Sequence, residues 1–300
     1  MAILQNKADS KWVPAYGATA IFWGLSFFFI MVGLQSFTPN QVAAARTSIG
    51  ALTLWILILI LRIKVKKPTK LYFHFFVMGL LNNSLPGLAF AYAETSVSSI
   101  VASIINATVP LTALLATVFV FREARPKLNQ LIGLGIGFLG VCIVLGAWQA
   151  STASNFGGIL YCVAAVTLYG LSFPYMRKYV LPLGLHPILG AAWQLTFGAL
   201  QALPFALHEW APINPTTSSL LAVIALGSFG SGLAFASHFY VIEKVGPLIA
   251  STVTYWMPLV AVVAGAFLLK EELHWYEPIG GLVVLLGILI VQDRISISKR

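Results

Sequence analysis

Groups able to do chemistry are few in this 300-residue chain, and their spacing excludes most reactions. Only two aspartates occur, Asp9 and Asp293, near the two ends. No paired carboxylates stand ready for a metal, no His-Glu-x-x-His run occurs, and no Gly-x-x-x-x-Gly-Lys-Ser/Thr loop is there to cradle a nucleotide. Ser228, Ser231 and His238 share one stretch, but Gly230-Ser231-Gly232 lacks the Gly-x-Ser-Gly spacing of intramembrane serine proteases. Cys142 and Cys162 fall in apolar runs and read as buried structural thiols. Neither catalysis nor a cofactor or metal is expected. What remains is a pair of prolines, Pro110 and Pro258, 148 positions apart in apolar runs closed by Glu123 and Glu271. A proline lacks the N–H that would bond the carbonyl four residues earlier. Those carbonyls belong to Asn106 and Thr254. Such a defect deep in an apolar segment survives only where it lines a cavity or is buried in protein. The chemistry on offer is therefore binding, with Asn106 and Thr254 as ligands and Pro110 and Pro258 as hinges.

The elements that must hold these groups are membrane helices. The chain is 59% hydrophobic and 9% charged, with a mean hydropathy of +0.88, whereas a soluble domain is about 25% charged. Its length allows about ten spans of roughly 20 residues. Hydropathy places them at Pro14–Leu34, Asn40–Leu61, Leu71–Ala93, Val97–Phe121, Leu128–Trp148, Gly157–Arg177, Pro187–Leu207, Ser218–Val241, Gly246–Leu269 and Pro278–Gln292. The polar first dozen residues contain no apolar run of signal-peptide length, so no cleaved leader is expected.

Lysines and arginines set the orientation. With both termini cytoplasmic, every one of the 18 except Arg46, inside a span, and Lys270 falls on the cytoplasmic side. The net charge of +9 is thus a matter of membrane orientation and not of nucleic acid. The two halves also repeat. Trp23-Gly24-Leu25-Ser26-Phe27 answers to Tyr169-Gly170-Leu171-Ser172-Phe173, Gly50-Ala51-Leu52 to Gly198-Ala199-Leu200, and Gly87-Leu88-Ala89-Phe90 to Gly232-Leu233-Ala234-Phe235. Five spans per half is an odd number, so the second repeat enters the membrane inverted. The fold expected is an all-α integral membrane protein: ten transmembrane helices in one membrane domain, residues 1–150 forming one five-helix repeat and 151–300 its inverted copy. Inverted repeats are the architecture of secondary transporters with midplane sites.

These residues resemble the drug/metabolite transporter superfamily, and EamA-type exporters in particular, over nearly the whole chain. The resemblance rests on the Trp-Gly-x-Ser-Phe of span one, Arg46 in span two, the Ala/Ser-rich openings and mid-helix prolines of spans four and nine, and the Glu that closes each. Two departures stand out: Arg122 and Lys270 occupy the place where the family carries Gly before the closing Glu, and Gln194 stands where the second repeat would echo Arg46. The resemblance implies a multi-pass carrier of the bacterial inner membrane that moves small metabolites or drugs, often amino acids outward.

Polar groups near span midpoints are the candidate site: Trp23, Asn82, Asn83, Asn106, Tyr169, Ser228, Ser231, Thr254, Tyr255 and Trp256. Each alternatively serves as hydrogen-bonding glue between helices. Arg46 is either a receptor for a substrate carboxylate or a tether to a carbonyl or to Glu94. Glu94 and His238 are candidates for proton coupling; the alternatives are a solvated edge carboxylate and an interfacial histidine. Glu123, Glu271 and Glu272 are expected to cap or orient the helices that follow them. Glycines 133, 137 and 140, and 280, 281 and 287, mark packing faces, between the halves or between protomers. The expectation is export of a small polar or amphipathic metabolite by alternating access, amino acids first. Efflux of cationic compounds and a non-transporting receptor or assembly role are the alternatives. Expected partners are the bilayer, the substrate and a coupling ion or proton.

Overall fold

The computed structural model describes residues 11–65, 72–122, 127–145, 156–208, 214–245, 252–291 and 295. Helices fill it, and no strand occurs among the described residues. Six helical stretches are long and apolar enough to cross a membrane: Trp12–Gly33, Pro39–Ile60, Tyr72–Ala93, Ser99–Val120, Phe156–Leu183 and Thr217–Val241. Three shorter apolar helices, Leu128–Val144, Met257–Leu268 and Tyr276–Val291, accompany them, with Pro187–His208 as a further 22-residue helix. Large apolar side chains such as Leu59 (74% exposed) and Phe267 (78%) face outward. Water would penalise them by roughly 1.5–3 kcal/mol each; lipid does not.

The first two helices run unbroken, α1 (Trp12–Gly33) and α2 (Pro39–Ile60). Thr38 starts α2 with a capping box shared with Gln41, and Pro39 fills the first position, where no N–H is needed. The next span is interrupted. It comprises α3 (Tyr72–Gly79), a π turn at Leu80–Ser84 and α4 (Leu85–Ala93). Pro86 lies just past the π turn and cannot donate to a carbonyl one turn back, so the ladder slips there to a wider i→i+5 bond, Leu85 N–H to Leu80 O.

The span beyond it breaks fully. Helix α5 (Ser99–Asn106), capped by Ser98, stops, and α6 (Val109–Leu115) starts anew with Pro110 in its first turn. The proline therefore opens a helix instead of sitting inside one, which corrects the expectation of a continuous helix lacking one bond. After α7 (Leu128–Val144), α8 (Phe156–Tyr175) and α9 (Pro187–His208), the pattern recurs. Helix α10 (Thr217–Ala225), capped by Thr216, passes through a π segment at Leu226–Leu233 into α11 (Ala234–Val245). A 3-10 turn at Thr252–Tyr255 then precedes α12 (Met257–Leu268), again with its proline, Pro258, in the first turn; α13 (Tyr276–Val291) ends the series.

Glycine permits the closest approaches. A Cβ on Gly133 would lie 2.6 Å from the Gly287 carbonyl oxygen, and one on Gly140 would lie 2.6 Å from the Val284 nitrogen. Helices α7 and α13 thus cross backbone to backbone, which resolves the choice the glycines left open: they pack two helices of one chain together.

Candidate functional site

The irregular segments carry the polar groups. Asn82 and Asn83 lie in the π turn before α4, and Ser228 and Ser231 in the π segment before α11. Such turns splay side chains that a regular helix would stack, and they concentrate at functional positions. Helices α2 and α9 face these segments through Gly50 and Gly198. A Cβ on Gly50 would stand 2.8 Å from the Ser231 Cβ, and one on Gly198 would stand 2.8 Å from the Asn83 Cβ. From one helical turn before Gly50, the Arg46 Nε donates to Ser231 Oγ at 3.1 Å. Across from them, Ser172 donates to Asn82 Oδ1 at 3.1 Å and lies 2.7 Å from the Tyr169 carbonyl. Asn82, Ser172 and Ser231 are buried, and Arg46 and Tyr169 are half-buried.

Buried amides lack partners, Gln41 Nε2 near the start of α2 among them. Asn83 Nδ2 and Gln194 Nε2 donate to nothing, and Asn106 Oδ1 accepts from nothing. Each such atom costs about 1–3 kcal/mol if nothing ever meets it. The interior therefore offers unpartnered donors and acceptors besides the Arg46 guanidinium. Gln194 was missing from the candidates. Its signal was its place 148 positions after Arg46, read as a departure rather than as a role.

Other candidates make contacts of their own. Trp23 packs its ring 4.8 Å from His238 and 5.7 Å from Phe235, tying α1 to α11. Tyr169 stacks on Phe90 at 6.2 Å. Thr254, in the 3-10 turn, is half-buried and has a partner. Trp256 is 54% exposed, outside the buried cluster. The Tyr255 side chain lies outside what the structure describes.

Two acids behave otherwise than the sequence suggests. Glu94, the residue after α4, is only 3% exposed, so it is no solvated edge carboxylate. Both its oxygens lack a hydrogen-bond partner. Burial and the neighbouring Glu271 charge hold its carboxyl well above the usual range, with Arg46 pulling partly back. No ion pair joins Glu94 to Arg46; among the described residues the pair His274–Glu277, at 3.6 Å, is of that kind. Glu271 does not cap the helix that follows it. It accepts from the backbone N–H groups of Ser99 (2.9 Å) and Ile100 (3.2 Å), capping α5 from far along the chain. Helix α13 is capped instead by its own Glu277, which accepts from the His274 N–H. Lys270 explains the reversal. Its left-handed backbone (φ 55) turns the chain back so that Glu271 lies over Gly265, where a Cβ would come within 2.7 Å of the carboxylate. Glu272 is exposed, and Glu123 lies outside the described residues.

Comparison with known proteins adds three findings. The profile of the EamA-like transporter family matches residues 11–146 and again 156–292. An uncharacterized transporter of Archaeoglobus fulgidus is 29% identical over 288 residues, covering 94% of this chain and 98% of its own. The uncharacterized inner membrane transporter YedA of Escherichia coli is 28% identical over 284 residues, covering 93% and 90%. One solved crystal structure shares the fold at a TM-score of 0.67 with 17% identity, over 94% of this chain and 96% of that one.

Proposed function

Because the chain belongs to the EamA-like transporter family of the drug/metabolite transporter superfamily, we propose that it exports small zwitterionic metabolites, amino acids foremost, by alternating access. The family and the six apolar spans make it a multi-pass inner-membrane transporter. The observation that carries the substrate reading is the set of buried, unpartnered donors and acceptors, Asn83, Gln194 and Asn106, taken with the half-buried Arg46 guanidinium. A carboxylate suits the guanidinium and the two amide nitrogens. An ammonium suits the Asn106 oxygen. Trp23 and Tyr169 supply apolar walls, and Ser228, Ser231 and Thr254 further oxygen atoms. His238, against Trp23, is a proton-coupling candidate beside Glu94.

Ten spans in two inverted five-helix repeats, residues 1–150 and 151–300, complete the reading, with both termini cytoplasmic. Recurring contacts support it. Gly24 abuts Val260 as Gly170 abuts Thr112, and Gly50 meets Ser231 as Gly198 meets Asn83. Partners in each second contact are displaced by 146–148 positions from their counterparts. An approximate two-fold axis in the membrane plane generates such duplicates.

The test is counterflow in proteoliposomes holding this protein alone, with radiolabelled amino acids and cationic dyes as substrates. Amino-acid counterflow is the expected result. Dye flux alone would replace it with cation efflux, and no flux of any kind would favour a receptor or assembly role.

A further inference from the structure

A carrier whose faces open in turn needs a contact that holds the outer face shut, and this inference rests on that reading but on no substrate. The Glu271 carboxylate supplies such a contact. Arriving from beyond α12, it binds the first two N–H groups of α5, at 2.9 and 3.2 Å, so one half of the chain is latched to the other. Both bonds run to a carboxyl group at a helix start, where negative charge is favoured. Beside the latch, Gly158 of α8 seats against the Ala93 carbonyl and Ser96 at the end of α4.

Glu94 is enclosed behind this contact. It is 3% exposed with neither oxygen partnered, and the Ser99 hydroxyl, 1% exposed, is also unpartnered. Three groups face it from the neighbouring elements: Arg46 from α2, Cys162 from α8, and Glu271 from beyond α12. The Tyr92 and Tyr161 rings stack near this end, and the His274–Glu277 pair lies past Glu271. None of them bonds to Glu94, and the Arg46 Nε is committed to Ser231. An unpaired carboxylate enclosed beside a second carboxylate cannot stay ionised.

We propose that Glu94 is a proton-binding site of the outer latch, holding a proton while the outer face is closed and releasing it to external water when that face opens. The sign follows from linkage. The closed state binds the proton more tightly, so acid outside holds the face shut and alkali favours opening. One proton shifts the equilibrium by up to about tenfold per pH unit between the open and closed carboxyl values.

Cys162 is the reporter. It is fully buried one helical turn past Gly158, so parting α8 from α4 uncovers it to the outside. In right-side-out vesicles, Cys142→Ser protein is labelled with an impermeant thiol reagent between about pH 6 and pH 8. The same series with Glu94→Gln added removes the intrinsic pH dependence of the thiol. The expected result is a rate ratio between the two that climbs with pH, several-fold or more over the range. Glu271→Gln should raise labelling at every pH. The infrared C=O band of a protonated carboxyl should be present at neutral pH and vanish in Glu94→Gln. Parallel pH profiles, or a band unchanged by the substitution, would overturn the proposal. Should Glu94→Gln fail to insert, the band must shift in Glu94→Asp, and an unmoved band is equally decisive. Neither readout uses a substrate, so a failure of the amino-acid reading would be seen separately.

Discussion

Arg46 is the residue on which the substrate reading turns. Its Nε is held by Ser231 at 3.1 Å, across from its own helix, which aims the rest of the guanidinium. A lysine keeps the charge but loses both that anchor and the planar fork. Arg46→Lys should therefore raise the KM for amino acids about tenfold or more, in line with the roughly 1.5–3 kcal/mol of a charged hydrogen bond, while sparing their esters and amides. Equal loss for all substrates would make Arg46 a tether. Hydropathy and residue type were enough to single out Asn82, Asn83 and Asn106, because an amide in the middle of an apolar span is anomalous wherever its neighbours fall. They named Glu94 as a proton-coupling candidate but not its burial, and the Glu271 charge that acts on it comes from far along the chain, a meeting no local pattern announces. Gln194 escaped for a related reason: a repeat read for identity hides a position whose role is kept by a different side chain.

Helix ends and breaks carry the next level. Pro110 and Pro258 each open a new helix, after Asn106–Thr108 and after the 3-10 turn. Alanine is tolerated in a first turn, so Pro110→Ala and Pro258→Ala should fold with near-unchanged thermal stability. They also free the preceding turn to join the helix, which would consume the irregular backbone beside Asn106 and Thr254. Counterflow should then slow several-fold; rates and melting temperatures both matching the parent would remove the hinge role. Helix stops give a second prediction. The described non-glycine residues with left-handed backbone are Arg62, Arg122 and Lys270, at φ 51, 53 and 55. Arg122 and Lys270 stand where a glycine resembles the family pattern, and the positive φ is why. Lys270→Gly should stabilise by roughly 1 kcal/mol, about 2 °C in melting temperature. No change would mean that the lysine side chain offsets its strain. The prolines were visible in the sequence as breaks. The π turns were less so: Pro86 marks the first, but the segment at Leu226–Leu233 contains no proline.

At the scale of the molecule, two ties close opposite ends. On one side Ser36 lies 3.1 Å from Ser219 and accepts from the Thr216 N–H, joining the end of α1 to the start of α10. On the other, His74 of α3 meets Tyr175 of α8 at 2.8 Å and stacks on Tyr179. On the ten-span reading, each tie joins the start of the third or eighth span to the end of the sixth or first. An inverted repeat requires that these ties face opposite sides of the membrane, and the lysine and arginine distribution says which is which. The Ser36 tie should face out and the His74 tie the cytoplasm. Single cysteines on a background lacking Cys142 and Cys162 decide it. Substitutions at the exposed Gln35, Thr216 and Glu272 should react with an impermeant reagent added to intact cells. Those at the exposed Lys64 and Lys127 and at the half-buried Leu183 should react only after the membrane is opened. The pattern is strict because each span reverses the side of everything after it. One span too many or too few between Gln35 and Glu272 would switch at least one site in the set. Labelling of Lys64 or Leu183 from outside would break the paired-repeat topology, and with it the placing of Glu94 on the outer face.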